Sequence, residues 1–411
     1  MSFIKELKWR GLLNNVTNQD KIQYFEQNHA SAYIGFDPSA DSLHLGNYIM
    51  ILVLRWLKKF GHNPIAIIGG ATGQIGDPSG KKTERVMLDI QKAKNNVLAI
   101  TKQLTDYAQV ETFNNSEIYQ DMTIFDFLRN IGKLINVNYL LEKDIIKSRL
   151  ELGISYSEFS YNLIQGYDFA WLYGHKSVIL QIGGSDQWGN ITTGIEIIRK
   201  MYGDKNQACG LTINLLTKSD GTKFGKSESG AIYLDKKYTS PFTMYQFLYN
   251  QADADVEKLL KSLTMLDRQE ITNIMQEHHH VPAKRIAQTR LAQTILIDIH
   301  GQNEYERCLK ISEALFKGQV EALNPNELYD ALTSLPTFQT TQSSYNILDL
   351  LVRCGACSSK SEGRKLIDSH SIYVNNKLID SINIDVTATT SINHKFSYIK
   401  KGKKHYYLIT W

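Results

Sequence analysis

The sequence predicts an α/β fold built on a mostly parallel sheet, followed by an α-helical region and a small, basic α+β module. Three observations carry this. Short apolar runs each stop at turn residues (Asp37-Pro38, Gly69-Gly70, Gly183-Gly184), helical periodicity fills the gap between the first two, and strand-like alternation disappears after Thr217.

Taken in order, Ala32 to Phe36 and Ile65 to Ile68 read as strands. Between them Ile49, Val53, Trp56, Leu57 and Phe60 recur at helical spacing and Gly61 ends the run, which makes a βαβ unit. A third strand is expected at Val178 to Ile182 and a fourth apolar run at Leu211 to Leu216, with an inserted helical segment near 120–160. In such sheets ligands bind beyond the carboxyl ends of the strands. Residues 218–240 begin with a polar, glycine-rich stretch carrying Lys218, Lys223 and Lys226, expected as a mobile loop and connection. Residues 241–323 read as a helical domain, for example through Ala287, Leu291, Ile295 and Ile299. Pro325, Pro336 and a Thr/Ser/Gln cluster mark 324–344 as a linker, and 345–411 as a separate module of two short helices and strands.

Composition narrows the classes. The chain has 411 residues, is 42% hydrophobic and 21% charged, and contains no apolar run near the ~20 residues a membrane span needs. The start, Met-Ser-Phe-Ile-Lys-Glu, lacks the apolar stretch of a secretory signal, so a cytoplasmic location is expected. Cys209 and Cys308 are isolated, and Cys354 with Cys357 form a CxxC lacking a second pair to complete a zinc site. From Thr341 onward ten Lys/Arg face five Asp/Glu, giving +5 of the chain's net +4 and leaving about −1 for the rest. A basic terminal module fits nucleic acid, and equally a solvated surface with extra lysines.

Four constellations carry chemistry. Asp37 to Asn47 joins a strand to a helix and sets His44 and Gly46 at the positive end of the helix dipole, a setting for phosphate or simply a cap. Gly69 to Lys82 resembles a phosphate loop, but Ile75 and Lys82 break the Walker spacing, so Asp77 suits an ammonium group or a turn. Tyr161, Gln165 and Asp168 share one helical face, which alone could be a solvated stripe. Gln181 to Asn190 places Gly183-Gly184 at another strand end, where a ligand can approach the backbone, with Asp186 just after as an acid that can accept from ribose hydroxyls.

In this order, with Lys223-Phe224-Gly225-Lys226-Ser227 behind them, these segments resemble the bacterial-type tyrosyl-tRNA synthetases, class I aminoacyl-tRNA synthetases with HIGH-like and KMSKS-like signatures. The similarity runs nearly end to end. It implies a Rossmann-like catalytic domain, an anticodon-side helical domain and a terminal RNA-binding domain of the S-four type. It implies a tyrosine pocket of Tyr33, Asp77, Tyr161, Gln165, Asp168 and Gln187, and an ATP site of Asp37, Ser39, His44, Asn47, Gly184, Asp186 and Lys226. His44, Lys81, Arg85, Lys223 and Lys226 would stabilise charge in the transition state, and Arg353, Lys360, Arg364 and Lys365 would contact tRNA. The implied partners are L-tyrosine, the tRNA for tyrosine, ATP with Mg2+ and no dedicated protein metal site, and a second copy in a homodimer.

Two positions depart from the signatures: Asn47 stands for the last His of the first, and Phe224-Gly225 for Met-Ser in the second. Glu277-His278-His279-His280 is expected as a solvent-facing loop between helices and receives no role. Two other readings stand beside the enzyme. A paralogue that only binds RNA would have no use for the pocket residues present here, and a tryptophan enzyme would not pair Tyr33 with Asp168 against an indole, which is donor only.

Overall fold

The computed structural model describes residues 2–79, 89–150, 153–217, 219, 221–222, 224–227, 230–317, 319–333, 337–402 and 405–411. The chain divides into two compact units, Met1–Tyr238 with Gln251–Leu291, and Thr239–Asn250 with Ala292–Trp411.

The first unit holds a six-stranded sheet. Helix α1 (Phe3–Trp9) precedes strand β1 (Leu13–Val16), α2 (Gln19–Gln27), β2 (Ser31–Phe36), α3 (Leu45–Lys59) and β3 (Asn63–Ile68). There follow α4 (Thr72–Ile75), α5 (Ile90–Ala108), β4 (Glu111–Asn114), α6 (Ser116–Tyr119), short helical turns between Ile124 and Leu150, α7 (Tyr156–Lys176), β5 (Val178–Gly184), α8 (Trp188–Tyr202) and β6 (Cys209–Ile213). The sheet order is β1-β6-β5-β2-β3-β4, parallel throughout except for the β1–β6 pair. The order reverses between β2 and β5, with Tyr33 beside Gln181 in the register, so the crevice at a topological switch point opens beyond Phe36 and Gly184.

The two central strands are buried almost throughout, which is why they read as continuous apolar runs. The edge strands β1 and β4 carry the burial of partly solvated segments and the polar sequences LNNV and ETFN. Apolar periodicity therefore gives no signal for them. Helix α3 buries Leu45, Ile49, Leu52, Val53, Trp56 and Leu57, and Gly61 with φ +85 supplies the left-handed residue that stops it. The Arg10 side chain, also fully buried, lies 4.0 Å over the Trp56 ring and donates to Glu6 and to the carbonyls of Lys261, Thr264 and Leu266. Helix α1 and the end of the Asp253–Leu263 helix are thus tied by one guanidinium.

Two expectations need revision. Glu277 to His280 is no loop: it is the last turn of the Arg268–His280 helix, and His278 is 1% exposed, with Nε2 3.4 Å from Asp253. The helical spacing of Ile271, Ile274, Met275 and His278 carries the pattern on through the histidines. The stretch expected as a linker contains the Pro325–Thr333 helix, with Pro at its first position as helices favour, and the strand Thr337–Gln339.

In the second unit the helices Pro241–Tyr249, Gln302–Lys317 and Pro325–Thr333 pack together. The terminal five-stranded sheet is ordered 377–378, 372–374, 396–401, 405–410, 337–339. It is covered by helices Ile347–Arg353 and Lys360–Asp368 over a core that includes Ile347, Leu350, Leu351, Ile367, Ile372, Ile399 and Ile409. Cys354 and Cys357 belong to this core as free thiols, and burial pushes the Cys354 thiol up to about 11. Arg353, Lys360, Arg364 and Lys365 are all exposed, with Lys360 paired to Asp349 at 2.6 Å.

Candidate active site

Four sheet-end segments and α7 meet at the crevice, and they build it in two layers. The deeper layer surrounds Asp168, which is 3% exposed. Tyr119 Oη donates to its Oδ1 at 2.6 Å and Asn115 Nδ2 to its Oδ2 at 2.8 Å. Burial pushes this carboxyl up to about 7, with nearby Asp37 adding to the rise while the two donors oppose it. Tyr33, 2% exposed, has a hydroxyl without a partner among the described residues, and its ring lies 5.5 Å from that of Phe169. Burial, then the charge of Asp168, raises the Tyr33 phenol well above its ordinary value. An acceptor with fixed donors and an unsatisfied hydroxyl thus sit at the floor of the crevice.

The upper layer is a set of acceptors. Tyr161 donates its only proton to Asp37 Oδ2 at 2.9 Å, so towards any ligand its oxygen can only accept. Thr72 donates to the other Asp37 oxygen at 2.8 Å, and Gly69 leaves the room for this carboxylate, since a Cβ there would fall 2.1 Å from Asp37 Oδ1. Asp77 takes Ser79 N and Oγ on Oδ1, at 2.9 and 2.6 Å, and Gln187 Nε2 on Oδ2 at 2.7 Å. Asn190, fully buried, donates to Gln165 Oε1 at 2.8 Å and Gln187 Oε1 at 3.0 Å. Among the described residues Asp77 and Asp168 meet only neutral donors. Buried carboxylates without a cation favour binding one.

The third part is the amino end of α3. His44 is its N-cap, and His44 N donates to Asn47 Oδ1 at 3.2 Å, so Asn47 closes a capping box on the residue it follows. Gly46 makes space for the imidazole: a Cβ would lie 2.8 Å from His44 Cε1. The second signature runs directly along the first. Leu45 N donates to Ile232 O at 2.9 Å, and Gly225, at φ +89, sits so close that a Cβ would come within 3.0 Å of Gly46 N. Phe224 is buried, and Lys226 opens the short strand that pairs with Gly230–Ala231. Asp186 leans on Gly184, whose Cβ would meet its Oδ1 at 2.6 Å, and Ser39 is exposed where the loop leaves β2. Lys81, Arg85 and Lys223 lie outside the described residues.

The structure therefore brings Tyr33, Asp37, Asp77, Tyr161, Gln165, Asp168 and Gln187 together at the crevice: Tyr161, Asp37 and Asp168 are linked through Thr72 and Asn115, Gln165 and Asp77 through Gln187, and Tyr33 lies beside Asp168. Asp37, expected among the nucleotide ligands, has its carboxylate engaged by Tyr161 and Thr72 beside the amino-acid acceptors. Sequence reading missed Thr72, Asn115, Tyr119 and Asn190. The cluster Asn114-Asn115-Ser116 was a usable turn signal, but only once β4 is known to end there. Among the described residues no three His, Cys, Asp or Glu side chains group as a metal centre, and no helix is long and apolar enough to cross a membrane.

Comparison with known proteins defines the class. The profile of the family described as tRNA synthetases class I (W and Y) matches residues 26–317, and that of the tyrosine–tRNA ligase SYY-like C-terminal domain matches 327–409. The chain is 53% identical over 410 residues to the tyrosine–tRNA ligase of Ureaplasma urealyticum serovar 10, covering 100% of this chain and 99% of that one. It is 44% identical over 423 residues to that of Geobacillus kaustophilus, covering 100% of both. A C-terminally truncated mitochondrial tyrosyl-tRNA synthetase from Aspergillus nidulans superposes with TM-score 0.69 at 30% identity, covering 77% of this chain and 94% of its own. A tryptophanyl-tRNA synthetase from Plasmodium falciparum shares the fold alone, with TM-score 0.53 at 15% identity. The chain belongs to the tyrosine–tRNA ligases within the class I synthetases.

The Asp168 environment makes a stability prediction. Its folded value of about 7 exceeds the ordinary 3.8, so ionisation costs the folded chain nothing below about pH 4 and the full penalty above about 7. Asp168→Asn is expected to raise the melting temperature at pH 8, with the gain vanishing near pH 4, while tyrosine activation is lost. Equal melting temperatures of the two proteins at pH 8 would refute the burial penalty.

Proposed function

We propose that the two layers of the crevice form one tyrosine pocket, in which Asp168 and Tyr33 hold the phenol and the upper acceptors hold the ammonium. The observation that carries it is Asp168 itself: a buried carboxylate with both oxygens oriented by donors, next to an unsatisfied Tyr33 hydroxyl. A substrate phenol donates to Asp168 and accepts from Tyr33. Phenylalanine leaves the Tyr33 hydroxyl unpaired, at ~1–3 kcal/mol for a buried group, and gives Asp168 no donor beyond Tyr119 and Asn115. Tyr161, its proton spent on Asp37, accepts from the ammonium together with Asp77 and Gln165. The ammonium takes the Asp77 oxygen that Gln187 now occupies, and the released amide turns to the substrate carboxylate.

ATP, carried as its magnesium complex, binds across the strand ends, with its ribose at Gly184 and Asp186 and its phosphates at Ser39, His44 and the amino end of α3. The tyrosine carboxylate oxygen attacks the α-phosphorus, forming tyrosyl-adenylate as the bond to pyrophosphate breaks. Negative charge grows on the phosphate oxygens, which His44, Lys81, Arg85, Lys223 and Lys226 stabilise. The 2′-hydroxyl of the tRNA's terminal adenosine then attacks the carbonyl and AMP leaves. Purified protein is expected to exchange pyrophosphate into ATP with tyrosine, and with neither phenylalanine nor tryptophan. Equal exchange with phenylalanine would sink the phenol pocket.

Residues 345–411 are read as the RNA-binding domain of the S-four type, and 241–323 as the anticodon-side helical domain. The exposed cations Arg353, Lys360, Arg364 and Lys365 support the first reading. Reversing Arg364 and Lys365 to Glu is expected to raise the KM for tRNA at least ~10-fold at physiological salt and to leave pyrophosphate exchange intact. Charging at wild-type KM by this double variant would remove the role. A homodimer is supported by large apolar side chains exposed in the segment between β4 and the start of α7, among them Ile124, Phe125, Val137 and Tyr156 at 62%, 79%, 58% and 72%. Phe125→Glu with Tyr156→Glu is expected to shift sedimentation from dimer to monomer, and an unshifted wild-type monomer would overturn the proposal.

A further inference from the structure

The donor that Tyr119 supplies to Asp168 has no counterpart among the residues assigned to substrate. We infer that Tyr119 is a positioning residue for amino-acid specificity: its hydroxyl fixes the orientation of the Asp168 carboxylate, and without it the pocket loses much of its preference for tyrosine over phenylalanine. The inference rests on the phenol pocket proposed above.

Tyr119 closes α6, just beyond the end of β4, and the same short segment supplies Asn115. One strand end thus delivers both donors to Asp168, one to each oxygen. The Tyr119 hydroxyl has a single proton and two acceptors within reach, Asp168 Oδ1 at 2.6 Å and Ile164 O at 2.9 Å. The shorter, charge-assisted bond takes the larger share. Asn115 is itself held, its Oδ1 accepting from Ala71 N at 2.8 Å and its Nδ2 also reaching Thr72 Oγ1 at 3.1 Å. The two donors therefore clamp the carboxylate plane from opposite oxygens. Each oxygen keeps a second lone-pair direction for a ligand. The Tyr119 ring rests 6.1 Å from Tyr167, so removal of the hydroxyl leaves the ring's packing in place.

Electrostatics gives the hydroxyl a second effect. Among the described residues, the titratable groups that face Asp168 are Tyr119 from α6, Tyr161 and Tyr167 from α7, Tyr33 from β2, and Asp37 just beyond it. All four phenols are raised above their ordinary value, chiefly by burial. Asp168, pushed up to about 7 by burial, is poised to change charge near neutrality, and the Tyr119 bond is the strongest influence holding it down. Loss of that bond raises the carboxyl further, so a larger share is protonated at pH 7. A protonated Asp168 is a weaker acceptor for the substrate phenol and a neutral wall for a phenyl ring.

The test compares full-length wild type with Tyr119→Phe in pyrophosphate exchange, with tyrosine and with phenylalanine, from pH 6 to 9. The tyrosine-to-phenylalanine ratio of kcat/KM is expected to fall at least ~10-fold, as for loss of a hydrogen bond to a charged group. The KM for tyrosine should rise with the KM for ATP unchanged, and the acid limb of kcat/KM for tyrosine should move to higher pH. Tyr167→Phe, which removes the neighbouring phenol and keeps the Tyr119 hydroxyl, should leave the ratio as in wild type. An unchanged ratio and acid limb in Tyr119→Phe would overturn the inference, as would an equal loss of kcat with both amino acids. Wild type that fails to discriminate at all would instead overturn the pocket reading, which separates the two failures.

Discussion

The constraint on which the site depends is the burial of two carboxylates, Asp77 and Asp168, that meet only neutral donors among the described residues. Asp168 is the clearest case, with neutral donors on both oxygens and an ionisation pushed towards neutrality. Burial penalises its ionised form. The return is a fixed acceptor in a nearly dry crevice, where an unsatisfied ligand is penalised heavily. Asp77 repeats the arrangement one layer higher, with Ser79 and Gln187 as donors, and the half-buried Asp37 beside it accepts from Tyr161 and Thr72. In the proposed pocket, a substrate with one phenol and one ammonium completes this acceptor set.

The sheet topology makes this affordable in space. Reversal of strand order between β2 and β5 leaves a gap above their carboxyl ends, and the loops after β2, β3, β4 and β5 all open into it. Helix α7 lies along the gap and contributes Tyr161, Gln165 and Asp168 from one stripe. The nucleotide side follows a separate rule. There the two signatures approach through backbone, with Gly225 in a left-handed conformation set against Gly46, and Leu45 N is bonded to Ile232 O just beyond the second signature. A side chain at either glycine would push the segments apart or crowd His44. The replacement of Met-Ser by Phe224-Gly225 is therefore coupled to the first signature: Phe224 is buried and Gly225 permits the close approach.

What was legible in the sequence followed burial. Strands β2, β3 and β5 showed as apolar runs because both faces are covered, and α3 showed by its 3.6-residue period. Strands β1 and β4 did not, since four-residue edge strands need no apolar face. With β4 went its loop, and with the loop went Asn115 and Tyr119. The misreading of His278 has the same origin: its neighbours look polar, whereas its placement is set by Ile274 and Ile271, one and two turns earlier.

The sequence by itself determined the family, the α/β class of the first unit and the chemical types gathered at the site, because signatures and apolar periodicity are local and survive without a structure. Tertiary structure decided which group acts on which. That Tyr161 spends its proton on Asp37, that Gln187 covers Asp77, and that Tyr119 holds Asp168 all depend on side chains from 49 to 124 positions apart. Hydrogen bonds between such distant positions leave no period or spacing in the chain. They exist only once the sheet has brought its strand ends to one rim.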